Sequence, residues 1–264
     1  MSTQQVLLDI DSRGIATLTL NRPEVHNAFD DNVINSLIMH LEAVAENPSV
    51  RVLVLRSEGK NFSAGADLNW MRRMAKNSHQ ENLVDARGLG RLMQCLNELP
   101  KPTVALVQGA AYGGAVGLAA CCDLVIATQA SQFCLSEVRI GLIPAVISPY
   151  VVRAIGERQA RRYFLTAEAF SATQAQVWGL VHELVETNQQ LDTAKDSLIN
   201  KLLNNSPCAI KAAKVLIFDV SNKPIAADAI EATANRIADI RVSAEGQEGL
   251  SAFLEKRKPN WIQE

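Results

Sequence analysis

The stretch from Gln108 to Pro144 constrains the fold more than any other part of the chain. Four glycines fall within nine residues, directly after the apolar run Thr103–Val107; they are Gly109, Gly113, Gly114 and Gly117. This pattern predicts a strand, a glycine turn and a helix that begins near Gly114. Backbone N–H groups at a helix start have no intrahelical partner, and the helix dipole favours negative charge beside them. The stretch therefore suits an oxyanion, although close packing of a helix on a sheet accounts for the same glycines about equally well.

The spacing of these glycines excludes two common phosphate-binding motifs. GAAYGGAVG does not fit G-x-G-x-x-G, and no Lys-Ser or Lys-Thr pair follows the glycines as in a Walker A loop. The stretch does carry one acid, Glu137, in an apolar run. Burial there would raise its pKa and suit proton transfer, whereas the residues alone favour a capping acid or an ion pair with Arg139.

The rest of the chain predicts an α/β fold in which strands come first and helices dominate the C-terminal part. The predicted strands are Val6–Asp11, Ile15–Leu20, Val50–Leu55, Thr103–Val107 and Leu180–Val185, the first two forming a hairpin. The predicted helices are Asp30–Asn47, one beginning near Asp67, Leu83–Leu99, Ala172–Trp178, Gln189–Asn204, one from Pro207 to about Asp219, Pro224–Val242 and Glu245–Lys256. A second glycine-containing turn, SEGKNFSAGADLNW, also leads from a strand into a helix.

Composition limits the classes of function. The 264 residues carry a net charge of -2, and 48% of them are hydrophobic, which is enough for a substantial core and argues against a general nucleic-acid or membrane binder. Without a signal core or a membrane span, the chain is predicted to be cytoplasmic. Five cysteines without C-x-x-C spacing predict reduced thiols, and four scattered histidines make a metal site improbable.

Five segments, in order along the chain, carry a resemblance to a known family. They are NRPEVHNAF, FSAGADL, AAYGGAVGLAACCDLVIA, FCLSEVRIGLIP and EGQEGLSAFLEKRKP. Through them the chain resembles the enoyl-CoA hydratase/isomerase superfamily, or crotonase fold, and most closely its bacterial methylglutaconyl-CoA hydratase-like branch. The resemblance implies a crotonase-like spiral of ββα units over residues 1–188, with the active site, and a C-terminal helical trimerisation region over residues 189–264. It also implies a homotrimer or a dimer of trimers.

The resemblance further implies a set of site residues. The backbone N–H groups of Ala66 and Gly114 would form an oxyanion hole, and Glu137 would transfer the proton. Coenzyme A, which is part of the substrate and not a separate cofactor, and the acyl group would contact His26, Ala28, Ala64, Asp67, Leu68 and Gly113. Lys256 and Lys258 are expected to bind its phosphates, although a solvated basic tail is an equal alternative.

Two departures from the family pattern shape the expected function. Gly117 stands where typical hydratases have a second glutamate, and Pro144–Tyr150 replaces a glycine-rich loop, which should narrow or reshape the acyl pocket. We expect a hydratase acting on a branched, carboxylated enoyl-CoA such as 3-methylglutaconyl-CoA, as in leucine or isoprenoid catabolism, with Arg139 as a receptor for the distal carboxylate. An isomerase that needs only one base is the alternative. An RNA-binding role is a weak one, because the chain is not basic.

Overall fold

The computed structural model describes residues 4–221 and 223–262. The chain divides into two compact units, one comprising the chain up to Leu99 together with Thr103–Asp196, and the other comprising Pro100–Pro102 and the chain from Ser197 onward. The predicted domain boundary between residues 188 and 189 stays a prediction, because compactness alone does not define a domain.

The first unit contains two β-sheets. Within the described residues the larger sheet has six strands in the order β1-β2-β3-β4-β6-β9, and the smaller has three in the order β5-β7-β8. The strands are β1 (Val6–Ile10), β2 (Ile15–Leu20), β3 (Val52–Ser57), β4 (Thr103–Val107), β5 (Ala110–Tyr112), β6 (Leu124–Thr128), β7 (Gln132–Cys134), β8 (Ala169–Ser171) and β9 (Glu183–Val185). The pair β1–β2 is antiparallel, as the predicted hairpin requires, and every other pair in the larger sheet is parallel.

The central strands of the larger sheet are continuous apolar runs because both of their faces are covered. All five residues of β4 are buried, and so are the first four of β3. Burial on both faces is typical of parallel sheets and removes the alternation of polar and apolar residues. The carboxyl ends of β3 and β4 lie side by side and lead into the two glycine-containing turns.

Four helices of the first unit begin at polar side-chain caps that are visible in the sequence. The helices of this unit are α1 (Asp31–Glu46), α2 (Leu68–Met74), α3 (His79–Asn97), α4 (Gly114–Cys121), α5 (Ser148–Thr166) and α6 (Ala172–Trp178). Asp67 caps α2, whereas Ser78 and Ser171 form capping boxes with Glu81 and Gln174 at the starts of α3 and α6. α5 carries a break at Gly156, where φ is 76° and ψ is 153°.

The second unit is helical. Its helices are α8 (Pro207–Val220), α9 (Ala227–Val242) and α10 (Ala244–Leu254), and the division between the units falls within α7 (Asn188–Leu203). Ser206 caps α8 directly before Pro207, and its hydroxyl accepts from the N–H of Ala209 at 3.0 Å. None of the helices among residues 4–221 and 223–262 meets the length and apolarity that crossing a bilayer requires.

The structure agrees with most predicted elements and adds several that the sequence analysis did not predict, among them β6, β7, β8 and α5. The glycine turn after β4 contains a short strand, β5, which pairs with β7. α3 begins at His79, four residues before the predicted Leu83, because the Ser78–Glu81 capping box starts it inside a polar segment. The predicted strand Leu180–Val185 is a strand only over Glu183–Val185.

Candidate active site

Three loops of the first unit, which contain Phe29, Ser63 and Tyr112, run side by side and are joined by backbone hydrogen bonds. The N–H of Ser63 donates to the carbonyl of Ala110 at 3.0 Å, and the N–H of Tyr112 donates back to the carbonyl of Ser63 at 3.0 Å. On the other side of the same loop, the N–H of Phe29 donates to Gly65 at 2.9 Å, and the N–H of Asp67 donates to Phe29 at 3.1 Å. The loop that contains Phe29, the loop that contains residues 63–67 and the glycine turn therefore form one rigid backbone framework.

This framework leaves two backbone N–H groups without a partner. The bonds that flank Ala66 belong to Gly65 and Asp67, and among the described residues neither the N–H of Ala66 nor that of Gly114 has an acceptor. Gly114 is the first residue of α4, where an N–H has no intrahelical acceptor. Such donors stabilise an anion placed between them.

The two glycines of this turn are required by close contacts. Gly113 has φ 54° and ψ -121°, a backbone conformation that residues other than glycine rarely adopt. A Cβ on Gly114 would lie 2.6 Å from Cζ of Phe29, which is less than van der Waals contact. The ring of Phe29 therefore packs directly on the backbone that carries the Gly114 N–H.

Glu137 lies against this turn. It opens a 3₁₀ turn, Glu137–Ile140, that follows β7, and its Oε1 is 3.2 Å from the position that a Cβ on Gly113 would take. Its Oε2 is buried without a hydrogen-bond partner among the described residues. Burial raises the pKa of Glu137 above its ordinary value, against a smaller lowering by a hydrogen bond with its own backbone. A half-buried carboxyl with a raised pKa is suited to exchanging a proton.

These groups line a single cavity of about 580 Å³. Most of its wall is apolar, and the segment from Gly141 to Ile147 forms one side of it. The lining residues outside that segment are Phe29, Ala66, Trp70, Met74, Asn82, Asp85, Ala86, Leu89, Gly114 and Glu137. The cavity thus combines two unpartnered N–H groups, one perturbed acid and an apolar wall, which is the arrangement a carbonyl substrate with an apolar tail requires.

The sequence analysis missed two polar residues of this cavity, Asn82 and Asp85. They lie one helical turn apart on α3, in line with Ala86 and Leu89. Asp85 accepts a hydrogen bond from Asn77 at 3.4 Å, and Asn82 donates to the carbonyl of Asn77 at 3.3 Å. Asp85 is thus a second carboxylate on the cavity wall, while the assignment of Glu137 as the single catalytic glutamate stays a prediction. A sequence signal for Asn82 was available, because the Ser78–Glu81 capping box marks the start of α3 before Asn82 and so places Asn82 in the helix.

Gly117, where a second glutamate was expected in a typical hydratase, is tightly enclosed. A Cβ at this position would lie 2.3 Å from Cγ2 of Ile147 and 3.2 Å from Sδ of Met93. Ile147 belongs to the segment that replaces the family's glycine-rich loop. The departures at Gly117 and at Pro144–Tyr150 are therefore one feature, in which a side chain of the loop fills the space beside the helix.

The residues assigned to coenzyme A in the first two loops lie together, but their side chains differ in availability. The N–H of Ala64 donates to the carbonyl of His26 at 2.9 Å, and both residues are exposed. Nδ1 of His26 is 3.2 Å from the amide nitrogen of Asn61. Ala28 is buried, and its carbonyl accepts from Arg22 at 2.7 Å.

Asp67 and Leu68 occupy opposite environments. The carboxylate of Asp67 caps α2 through the N–H groups of Asn69 and Trp70 and pairs with Arg22 at 3.0 Å. Burial would raise the pKa of Asp67, but these N–H donors and the guanidinium outweigh burial and lower it. The side chain of Asp67 thus stabilises the fold through these contacts, whereas Leu68 is 68% exposed.

Of the three cationic residues of the predicted site, Arg139 belongs to the first unit, and Lys256 and Lys258 belong to the second. The guanidinium of Arg139 donates to the backbone carbonyl of Ala167, and Arg139 does not line the cavity. Lys256 and Lys258 are exposed residues of the second unit, just after α10. The structure thus does not bring Arg139 to the position that a receptor for the acyl carboxylate would need, and the role of the two lysines stays a prediction.

Two further observations delimit the site. Another cavity, of about 480 Å³, lies in the second unit between α8 and α9 and holds none of the predicted site residues. Among the residues that the structure describes, no group of three or more His, Cys, Asp or Glu side chains is placed to hold a metal ion.

The fold and the site together define a protein of the crotonase class. The sequence profile of the family described as enoyl-CoA hydratase/isomerase matches residues 11–264. The chain is 34% identical to the 2,3-dehydroadipyl-CoA hydratase of Escherichia coli over 94% of both chains, and 30% identical to the trans-2-decenoyl-[acyl-carrier-protein] isomerase of Streptococcus mutans over 99% of both. A crystal structure of an enoyl-CoA hydratase from Shewanella pealeana superposes with a TM-score of 0.95 at 49% identity, covering 98% of this chain and 97% of that one. The chain belongs to the enoyl-CoA hydratase/isomerase family, and the predicted crotonase-like α/β fold is confirmed.

Proposed function

We propose that this enzyme adds water to the 2,3-double bond of a branched enoyl-CoA thioester. The observation that carries the proposal is that Ala66, Gly114 and Glu137 line one cavity, with two unpartnered N–H groups beside an acid whose pKa is raised. Members of this family named as hydratases support the direction of the reaction.

The two N–H groups would hold the thioester oxygen. When water adds to C3, negative charge moves through C2 to that oxygen and forms an enolate. Donors fixed by the backbone framework stabilise this charge without reorganising, and one such donor typically contributes about 10²–10³ in rate. Phe29 supports the geometry because its ring packs against Gly114.

Glu137 would act first as a base and then as an acid. Its carboxylate takes a proton from water as the hydroxyl oxygen bonds to C3, and the resulting carboxylic acid then gives that proton to C2 as the enolate returns to a thioester. No proton is gained or lost overall. The position of Oε1 next to Gly113 supports this role, because C2 is one bond from the carbonyl carbon that the neighbouring Gly114 N–H would polarise.

The acyl group is the finer part of the proposal. A carboxylated group such as 3-methylglutaconyl is supported by the E. coli relative, since a 2,3-dehydroadipyl group has a free carboxylate at its far end. The amide of Asn82 lies on the cavity wall and supplies a donor for such a carboxylate, which is the role that the sequence analysis assigned to Arg139. Asp85 lies next to Asn82 on α3 and opposes it electrostatically, so the acyl carboxylate would lie on the Asn82 side.

Isomerisation of the double bond is the second candidate function. The packing of Ile147 and Met93 around Gly117 favours it, because moving a proton between two carbons needs a single base and no bound water. The isomerase from S. mutans shows that relatives with this name exist at 30% identity over nearly the whole chain.

We also infer a homotrimer or a dimer of trimers. The exposed apolar residues of the second unit support an assembly, since Ile225, Phe253 and Leu254 are 94%, 81% and 77% exposed. Sedimentation analysis would test it, and a monomer at micromolar concentration would contradict it. The cytoplasmic location and the place in leucine or isoprenoid catabolism stay predictions.

One experiment separates the two reactions. The enzyme is incubated with a panel of enoyl-CoA thioesters that are short or branched, with and without a terminal carboxylate, and the products are analysed by mass spectrometry and chromatography. A gain of one water identifies a hydratase, whereas an unchanged mass with a shifted double bond identifies an isomerase. Glu137→Gln serves as the control for chemistry at this site. If the wild-type enzyme changes none of the thioesters, the proposed function is wrong.

A further inference from the structure

Arg139 connects the turn that carries Glu137 to the end of a neighbouring helix. Nη2 of Arg139 donates to the carbonyl oxygen of Ala167 at 2.5 Å, and Ala167 terminates α5. Arg139 is the third residue of the 3₁₀ turn that Glu137 opens. The two residues are therefore held by the same short segment of backbone.

The carbonyl of Ala167 is a suitable anchor for a cation. Ala167 is fully buried and has a left-handed backbone with φ 52°, which ends α5. The C-terminal end of a helix carries partial negative charge, so a guanidinium there is favoured. Among the described residues, the other donor to this oxygen is a weak one, the Sγ of Cys134 at 3.3 Å.

The other hydrogen bonds of the turn are local. The N–H of Arg139 donates to Ser136 at 3.1 Å, that of Gly141 to Val138 at 3.2 Å and that of Leu142 to Glu137 at 3.0 Å. Among the hydrogen bonds of the described residues, the bond from Arg139 to Ala167 is the one that joins Glu137–Ile140 to a distant part of the chain. The carboxyl of Glu137 makes no such bond, since its Oε2 is buried without a partner.

We propose that Arg139 is a positioning residue that fixes the turn and thereby holds the carboxylate of Glu137 against Gly113. This inference rests on the proposed function, in which Glu137 must reach C2 of the thioester. Displacement of a reacting group by about 1 Å can reduce the rate by roughly 10²-fold. The role differs from the one predicted from the sequence, in which Arg139 binds an acyl carboxylate.

The test compares Arg139→Ala and Arg139→Lys with the wild-type enzyme on a plain and a carboxylated enoyl-CoA. We expect Arg139→Ala to lower kcat by roughly 10–100-fold on both thioesters with little change in KM, because the geometry of Glu137 is lost and the binding surface is kept. Arg139→Lys should recover much of kcat, since an ammonium group can also donate to the Ala167 carbonyl. Arg161→Ala is the matched control, because Arg161 lies on α5 and its ion-pair partner among the described residues is Glu157, at 3.7 Å. It should leave kcat unchanged.

Two outcomes would overturn the inference. An increase in KM confined to the carboxylated thioester would return Arg139 to substrate recognition. An Arg139→Ala enzyme with wild-type kcat on both thioesters would show that the bond to Ala167 does not position Glu137.

A second measurement does not depend on turnover. Hydrogen exchange at the N–H groups of Gly141 and Leu142 reports the order of the turn, and ¹³C NMR of labelled glutamate, assigned with Glu137→Gln, reports the titration of Glu137. In Arg139→Ala we expect faster exchange, and we expect the raised pKa of Glu137 to fall as the carboxyl gains water. Unchanged exchange and titration would contradict the positioning role even if no thioester is turned over, whereas an inactive wild-type enzyme with these changes would contradict the proposed reaction alone.

Discussion

Oε1 of Glu137 lies 3.2 Å from the point where a Cβ on Gly113 would stand, so the acid and the glycine turn are in direct contact. The contact brings the proposed proton-transfer group next to the proposed oxyanion donor Gly114 without any intervening side chain. It also explains why Gly113 must be a glycine. A side chain there would displace the carboxylate, in addition to being strained at φ 54°.

Replacing Glu137 by Gln is expected to reduce turnover by at least about 10²–10⁴-fold, because the amide keeps the shape but transfers no proton. The measurement is kcat on the best thioester of the panel. Binding of the thioester should survive, since the N–H groups of Ala66 and Gly114 are unchanged, and calorimetric titration with a saturated acyl-CoA checks it. A Glu137→Gln enzyme that retains most of its turnover would remove Glu137 from the mechanism.

The same variant is expected to be more stable than the wild-type protein at neutral pH. Burial raises the pKa of Glu137 above its ordinary value of 4.5, so the folded protein binds this proton more tightly than the unfolded chain does. The resulting stabilisation is fully present below 4.5 and is lost as the pH rises through the raised pKa. Glu137→Gln has no charge to bury and avoids this loss. Thermal unfolding at neutral pH and below the ordinary pKa measures the difference, which should disappear at the acidic pH.

A wild-type protein that is more stable than Glu137→Gln at neutral pH would mean that the carboxylate is stabilised by a partner. The raised pKa also places the acidic limb of the pH–rate profile for hydration above 4.5, because the ionised form must take the proton from water.

Asp85→Asn is expected to lower KM for a carboxylated thioester and to leave KM for crotonyl-CoA unchanged. The substitution keeps the shape of the side chain and removes a negative charge from the cavity wall. Two unit charges about 4 Å apart in water interact by about 1 kcal/mol, so the gain should be roughly fivefold. Steady-state kinetics on the two thioesters measures it. The assignment of the acyl end to this part of α3 fails if KM changes equally for both substrates or for neither.

Backbone patterns explain why much of the fold and part of the site were predictable. The runs Thr103–Val107 and VRVLVL are apolar because central parallel strands are covered on both faces. A glycine turn after such a strand exposes backbone N–H groups, and this depends on the local sequence alone. Ala66, Gly114 and Glu137 could therefore be assigned from local sequence and the family resemblance, and the structure places all three on one cavity.

Other features depend on contacts between distant parts of the chain. The partner of Arg139 is a backbone carbonyl 28 residues away, at a helix end that the sequence analysis did not locate. Every residue has such a carbonyl, so the residue type does not identify the partner. Asp85 was missed for a different reason. Asn82 precedes the predicted helix start at Leu83, whereas Asp85 lies inside the predicted helix, and the helical pattern does not show that the face they share lines the cavity.

The last prediction concerns Gly117→Glu, which would restore the second glutamate of typical hydratases. The first atom of the new side chain would lie 2.3 Å from Cγ2 of Ile147. Overpacking of this kind typically costs about 1–3 kcal/mol, so we expect the variant to be less stable and not to gain hydration activity. The double variant Gly117→Glu/Ile147→Ala removes Cγ2 of residue 147 but keeps its Cβ, which would lie 2.8 Å from the new atom, so it should recover only part of the stability. Ile147→Ala alone is the control for the loss of the loop side chain. A second carboxylate near Glu137 would raise the pKa of the pair, so the pH–rate profile of the double variant should show a coupled ionisation and a lower turnover at neutral pH. Chemical denaturation and pH–rate profiles of the four proteins measure these effects. A large gain in hydration by the double variant, from a wild-type enzyme that mainly isomerises, would contradict the single-glutamate hydratase and support the isomerase.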